Sequence, residues 1–250
     1  LLRDVLGFGL IPDNETLGVP PEMGASLATT DLDRDGVDDL LVGMPGKDTP
    51  FDFAGCGSIA TPCLDTGIVA GYFGTEFSEV ILSTSTPNYR NSIGCGVNGD
   101  GDDNYFGASL VANRNGDIYG GAPGIGLNLD ESAGYVSGFR NLFVSGQDCI
   151  AAYRPATLFG EVNRTARVGA SVAAISKGNG NGATVVFGAP DTDNGSIGEL
   201  GVVLVQYASN TSTNPPASVF VQEAHWPPAG NGQGDHFGAA VATGDFDGDG

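Results

Sequence analysis

The sequence predicts an all-β chain assembled from repeated units of four short antiparallel strands. Three observations carry this prediction: the abundance of turn residues, a set of short words that recurs along the chain, and apolar stretches of strand length after each recurrence. Of 250 residues, 41 are Gly and 14 are Pro, and 40% are apolar. Gly supplies the positive φ that tight turns need, so short strands and many turns follow and long helices do not.

The recurring words stand at GASLATTDLDRDGVDDLLVGMPG (24–46), FGASLVANRNGDIYGGAPG (106–124), VGASVAAISKGNGNGATVVFGAPD (168–191) and FGAAVATGDFDGDG (237–250). Each begins with a Gly-Ala pair, continues as a small or apolar strand and a variable loop, and, in the three that run on, ends in a second apolar strand and Gly-x-Pro. The shared Gly, at 24, 107, 169 and 238, recurs at spacings of 83, 62 and 69 residues, room for about four strands each. A third apolar stretch follows each Gly-x-Pro, at 67–73, 134–139 and 201–205, and a fourth candidate strand closes each unit at 79–84, near 148–159 and at 217–223. Units of four antiparallel strands at regular spacing read as β-propeller blades, each burying both faces against its neighbours. A β-sandwich, the alternative, does not require the same words at every corner.

The words Phe106-Gly107-Ala108-Ser109-Leu110, Gly121-Ala122-Pro123, Gly188-Ala189-Pro190 and Phe237-Gly238 resemble FG-GAP repeats, the blades of the integrin α-subunit head and of related extracellular propellers. The first copy departs from the pattern with Met23-Gly24 and Met44, and the third with Val168-Gly169. The resemblance implies a partial propeller of about three blades plus the first strand of a fourth. Its divisions are 1–23, a lead-in or the end of a preceding blade; 24–105, a blade with an acidic loop and a Cys-bearing insertion; 106–167 and 168–236, blades without that loop; and 237–250, the start of a further acidic-loop blade. The chain begins without Met and its last repeat breaks off at Gly250, so it reads as a fragment.

The stretch DLDRDGVDDLLVGMP (31–45) crowds carboxylates against an apolar strand. Asp31, Asp33 and Asp35 at loop positions 1, 3 and 5, Gly36 at 6, the Val37 carbonyl at 7 and Asp39 at 9 form an alternating series of oxygen donors. This pattern suits Ca²⁺, a hard cation that takes six to eight oxygens at about 2.3–2.6 Å. An EF-hand would need Glu at position 12, where this chain has Val42 inside a strand, so the loop belongs to a β-hairpin. FG-GAP proteins hold Ca²⁺ in such a loop between the first two strands of a blade, which the resemblance implies here. Asp38 is expected to point outward. Asp245, Asp247 and Asp249 begin an incomplete second site. The middle copies, 113–117 and 177–182, lack the ligand set and read as plain hairpin turns. Two acidic decoys, 98–102 and 191–193, lack the motif.

Charge and cysteine content bound the function. Thirty acidic residues against ten basic ones give a net charge of −20, which repels nucleic acid and anionic membrane surfaces and favours bound cations. No apolar run approaches eighteen residues, so nothing in this segment inserts into a membrane. Four Cys, at 56, 63, 95 and 149, and sequons at Asn14, Asn163, Asn194 and Asn210 fit an exported, disulfide-bonded glycoprotein. A Cys56–Cys63 bridge would close a small loop and leave Cys95 with Cys149; the other connectivities stay open. Neither His225 nor His236 lies in a catalytic motif, and no nucleophile elbow, metalloprotease or phosphate-loop signature is present. The expectation is a non-catalytic, extracellular or cell-surface module for recognition and adhesion, with Ca²⁺ as its cofactor and a protein or glycan as its ligand. The alternative is a lectin-like or carbohydrate-targeting accessory propeller of a secreted enzyme. In similar propellers the loops at 46–66, 86–105, 124–132, 191–198 and 225–235 share the face opposite the acidic loops. Phe51, Phe53, Tyr89 and Arg90 on the first two are candidates for ligand contact or, equally, for packing over the blade edge. His225-Trp226-Pro227-Pro228 reads as a stiff link between blades or as a sugar-stacking platform.

Overall fold

The computed structural model describes residues 22–48, 64–74, 79–83, 92–94, 103–114, 116–125, 133–140, 148–153, 165–176, 183–193, 198–206, 217–221 and 233–246. Among them every regular element is a strand. The first sheet contains β1 (Ser26–Thr30), β2 (Asp39–Met44), β3 (Ile68–Tyr72), β4 (Glu79–Ser83) and β5 (Ser92–Gly94), in that spatial order. The second contains β6 (Ser109–Ala112), β7 (Ile118–Gly121), β8 (Val136–Arg140) and β9 (Asp148–Tyr153), and the third β10 (Ser171–Ser176), β11 (Ala183–Ala189), β12 (Val202–Gln206) and β13 (Ala217–Val221). Every consecutive pair within a sheet is antiparallel except β4–β5, which is parallel.

Two expectations need correction. The loop at 86–105 contains β5, a three-residue strand that lengthens the first unit beyond four. Ser-Ile-Gly is too short for a periodic signal, and its parallel partner gives no hairpin signature. The expected first strand of the fourth copy is absent as a strand: residues 238–246 carry no ladder, and only Phe237 bridges, to Gly201. A strand needs a hydrogen-bonded neighbour, and no second strand of that copy lies among the described residues.

The recurring words are the parts of a joint between consecutive sheets. Ser26 donates its hydroxyl to the Gly107 carbonyl at 2.6 Å, Ser109 to Gly169 at 2.7 Å and Ser171 to Gly238 at 2.8 Å. The Gly of each Gly-x-Pro lies in the same contact: a Cβ on Gly43, Gly121 or Gly188 would collide with that carbonyl and that hydroxyl. Gly-Ala-Ser and Gly-x-Pro thus recur because two backbones and a hydroxyl meet where no side chain fits. Next to each joint a parallel bridge links the sheets, Gly67 to Phe106, Gly134 to Val168 and Gly201 to Phe237.

Apolar side chains fill the space behind the joints. Leu41, Val69 and Leu82 of the first sheet pack with Phe106, Ile118 and Phe139 of the second unit. The Phe106 and Phe139 rings stand 6.0 Å apart at 53°, and Phe106 lies against Gly120, where a Cβ would strike the ring. Between the second and third sheets, Tyr119, Val136 and Val168 pack with Val185, Phe187 and Leu204. Val168 occupies the Phe place without loss of burial.

The residue just before each Phe-Gly word adopts a left-handed backbone: Glu22 (φ 49°), Tyr105 (54°), Arg167 (51°) and His236 (49°). These residues sit at the end of the sheets opposite the β1–β2 loop. There the Tyr105 amide donates to the Asp65 carbonyl at 2.9 Å and the His236 amide to the Glu199 carbonyl at 3.0 Å, in matching turns.

Candidate metal centre

The acidic loop between β1 and β2 is anchored from below before its carboxylates are arranged above. Leu32, its second residue, is buried in the cluster shared by the first two sheets. Asp39, the first residue of β2, is buried, and its two oxygens accept the Leu32 amide at 2.7 Å and the Gly74 amide, from the β3–β4 connection, at 2.8 Å. Gly36 has φ +90°, the left-handed turn that Gly was expected to permit. Arg34 is also left-handed, at φ 63°, which the sequence did not signal.

The turn folds backbone amides onto the carboxylates. Asp31 accepts the Asp35 amide on Oδ1 and the Gly36 amide on Oδ2, both at 3.0 Å. Asp33 Oδ1 accepts the Asp35 amide at 3.1 Å, and Asp35 Oδ1 accepts the Val37 amide at 2.8 Å. Carboxylate oxygens of Asp31, Asp33 and Asp39 lie within 4.8 Å of one another. The structure therefore brings together three of the four predicted acidic ligands. Asp35 is not in that group, and the Val37 amide, not its carbonyl, is turned to the loop, where it donates to Asp35. Asp38 is exposed, as expected.

Like charge at this spacing has an electrostatic consequence. The Asp33 carboxyl is raised above its usual range, first by desolvation and then by the negative charges of Asp35, Asp39 and Asp31, against the lowering effect of the Asp35 amide. A divalent cation among three convergent carboxylates would reverse that repulsion. The donor set, all oxygen and anionic, fits Ca²⁺ rather than a metal that prefers nitrogen or sulfur. Asp31, Asp33 and Asp39 would hold it, and the cation would supply charge neutralisation and a cross-link between the two strands.

The second unit shows how the same hairpin closes without the loop. Asn113 faces Asp117 as Thr30 faces Asp39, one step beyond the Ala112–Ile118 pair. Both are buried: Asn113 donates its side-chain amide to Asp117 Oδ2 and accepts the Asp117 backbone amide on Oδ1, each at 3.0 Å. Gly116 takes the positive φ, at 78°. The two hairpins touch, since Thr30 donates its hydroxyl to the Asn113 carbonyl at 2.8 Å. A plain turn does not announce this pairing; its signal in the sequence is an Asp at the start of the second apolar stretch in both copies, Asp39 as the first residue of β2 and Asp117 just before β7.

The remaining site expectations separate cleanly. Asp191 and Asp193, the second decoy, serve the opposite end of the sheets. Asp191 meets Arg167 Nη1 at 3.4 Å and His236 Nδ1 at 3.0 Å, and Asp193 Oδ1 accepts the Glu199 amide at 2.8 Å. Asp48 does the same for the Asp65 amide at 3.0 Å. On that end Tyr105 donates its hydroxyl to Asp103 at 3.0 Å; its phenol is pushed up to about 12 by desolvation, by that hydrogen bond, and by the charges of Asp103, Asp65 and Glu22. Asp245 is described and exposed. Asp247, Asp249, Phe51, Phe53, Tyr89, Arg90, the four sequons, the 98–102 decoy, the 177–182 turn, the 225–228 link and Cys56, Cys63 and Cys95 lie outside the described residues, and of Cys149 only the backbone, in β9, is described.

No curated protein matches the chain. The family comparison returns the same unit that the geometry singles out: residues 23–55, the stretch that holds β1, the acidic loop and β2, are an FG-GAP repeat.

Proposed function

We propose that the chain is part of an FG-GAP β-propeller, similar in kind to the integrin α-subunit head, and that it is a calcium-binding, non-catalytic recognition module acting outside the cell. The observation that carries the reading is the convergence of Asp31, Asp33 and Asp39 in the hairpin loop of an FG-GAP repeat. Its extracellular placement rests on the habit of FG-GAP repeats, which occur typically in extracellular proteins. The three sheets would be consecutive blades. Calcium would be structural, since its carboxylates belong to the end of the sheets formed by the β1–β2 and β3–β4 connections. The protein or glycan ligand would meet the other end, where the chain leaves at Asp48 and returns at Leu64 and where the rim of Glu22, Asp65, Asp103 and Tyr105 falls.

The test is a screen of the chain on matrix-protein and glycan arrays, followed by two variants. One replaces 49–63 by a short Gly-Ser turn; Lys47, Asp48 and Leu64–Thr66 are kept because their backbone and side chains brace the joint. The other is Asp33→Asn. Binding should fall in the first and persist in the second wherever the protein remains folded. The reverse result would place calcium at the ligand site and overturn the reading.

A further inference from the structure

The acidic loop of the first unit is built partly on the second. Thr30, the last residue of β1, is buried and faces Asp39 across the ladder. Its hydroxyl donates away from its own loop, to the Asn113 carbonyl in the hairpin of the second unit, at 2.8 Å. Leu32, on the other side of Asp31, is buried with Phe106, Ile118 and Phe139 of that unit. Asp31 therefore stands between two residues that the second unit holds. Its own carbonyl runs past Gly116, 3.3 Å from where a Cβ on that residue would lie.

The receiving hairpin is fixed within itself. The Asn113 carbonyl accepts the Gly116 amide at 3.1 Å as well as the Thr30 hydroxyl, so both of its lone pairs are used. Two bonds of 3.0 Å tie the Asn113 side chain to Asp117, and the Asn113 amide donates to the Asp117 carbonyl at 2.9 Å. Gly116 has φ +78°, which lets the turn approach Asp31 with no side chain in between. A carboxylate holds a cation only as well as its own backbone is held, and partners outside the ligand set commonly carry about tenfold to a hundredfold of metal affinity.

We infer that the hairpin of the second unit positions the calcium loop of the first, so that occupancy of Asp31, Asp33 and Asp39 and the docking of these two sheets strengthen each other, with the Thr30 hydroxyl as the coupling group. The inference rests on the calcium reading above and adds a regulator inside the chain: a neighbouring repeat that contributes no ligand tunes the site. Coupling between two sites is reciprocal. Calcium bound at the first unit therefore tightens the Asn113–Asp117 hairpin of the second.

Calcium titration calorimetry and amide hydrogen exchange on the full chain test it, with wild type, Thr30→Val and Thr30→Ser. Val keeps the shape and removes the donor, whereas Ser keeps the donor. Thr30→Val should bind calcium about tenfold more weakly, and Thr30→Ser should restore the wild-type affinity. In the wild type, calcium should slow exchange of the Gly116 and Asp117 amides more than that of third-sheet amides; in Thr30→Val that excess should vanish. Gly116→Ala, acting from the second unit against the Asp31 carbonyl, should weaken calcium as well, and it decides the matter if Thr30→Val does not fold. A purely structural Thr30 would lower the calcium-free melting temperature and move neither readout. Wild-type affinity in Thr30→Val or in Gly116→Ala, an equal loss in Thr30→Ser, or no excess slowing in the wild type overturns this inference alone; a wild type that binds no calcium overturns the calcium reading beneath it as well.

Discussion

Replacing Asp33 by Asn should shrink the stabilisation by calcium and so invert the stability order of variant and wild type, and the structure sets the size of the change. Each pair among Asp31, Asp33 and Asp39 has carboxylate oxygens within 4.8 Å. At that distance like charges repel by about 1 kcal/mol in water-like surroundings and by about 3 kcal/mol at the effective dielectric of a protein surface. Solvent reaches this loop, so the lower figure is the better guide. Without the cation, Asp33→Asn removes two such repulsions while keeping a side-chain oxygen for the Asp35 amide, and the variant should melt at or above the wild-type temperature. With calcium the order inverts. At free calcium a hundred times the dissociation constant, binding stabilises the fold by about 2.7 kcal/mol; a variant bound a hundredfold more weakly retains about 0.4 kcal/mol. For a chain of this length the difference corresponds to about 5–10 °C. Paired melts by circular dichroism, in chelator-treated buffer and in millimolar calcium, read both arms. An equal calcium shift in the two proteins, or none in the wild type, refutes the reasoning.

Three further outcomes are expected. Asp39→Ala leaves the Leu32 and Gly74 amides without their buried acceptor and should cost about 3 kcal/mol without calcium, and more with it, measured by denaturant unfolding; a loss seen only with calcium would assign Asp39 to the cation alone. Ser109→Ala removes one joint hydroxyl and should cost about 1 kcal/mol, whereas Gly121→Ala, which drives a methyl into the Gly169 carbonyl, should cost several times more; equal melting temperatures for the two variants would deny the joint its role. Tyr105 should ionise near pH 12 in the folded protein, read as the ultraviolet difference between wild type and Tyr105→Phe, and Asp103→Asn should lower that value. Because its folded value lies above the unfolded value of about 10, its contribution to stability is full below about pH 10 and is lost as the pH climbs through about 12.

The architecture was legible because its constraints fall on single residues. A Gly forced by two backbones in contact, or a Ser forced by a carbonyl beside it, leaves a word that can be aligned by eye, and β2, β3, β4, β8, β12 and β13 fall where the words placed them. Asp31, Asp33 and Asp39 were legible because alternate residues of a tight loop share a side. Asp35 shares the parity but turns to the Val37 amide, a local choice that spacing cannot express. β5 escaped because three residues carry no period. The Asn113–Asp117 pair escaped because a buried amide and carboxylate that satisfy each other look, in sequence, like any polar turn. The charged rim around Tyr105 is assembled from segments far apart in the chain, and no local pattern announces it.

The left-handed residues before the Phe-Gly words have one further consequence. A carboxylate, a phenol, a guanidinium and an imidazole stand at the same point of the same backbone turn, at Glu22, Tyr105, Arg167 and His236. In the turns at Tyr105 and His236 main-chain amides make the local hold, and the side chain is left to pair with a nearby carboxylate, Asp103 or Asp191. The tolerated alphabet is bounded by conformation instead: β-branched residues and Pro resist a positive φ, and nearly everything else is admissible at modest strain. The end of the molecule away from the acidic loop can therefore change its chemical character one sheet at a time, from acid to base to aromatic, while the scaffold beneath stays the same.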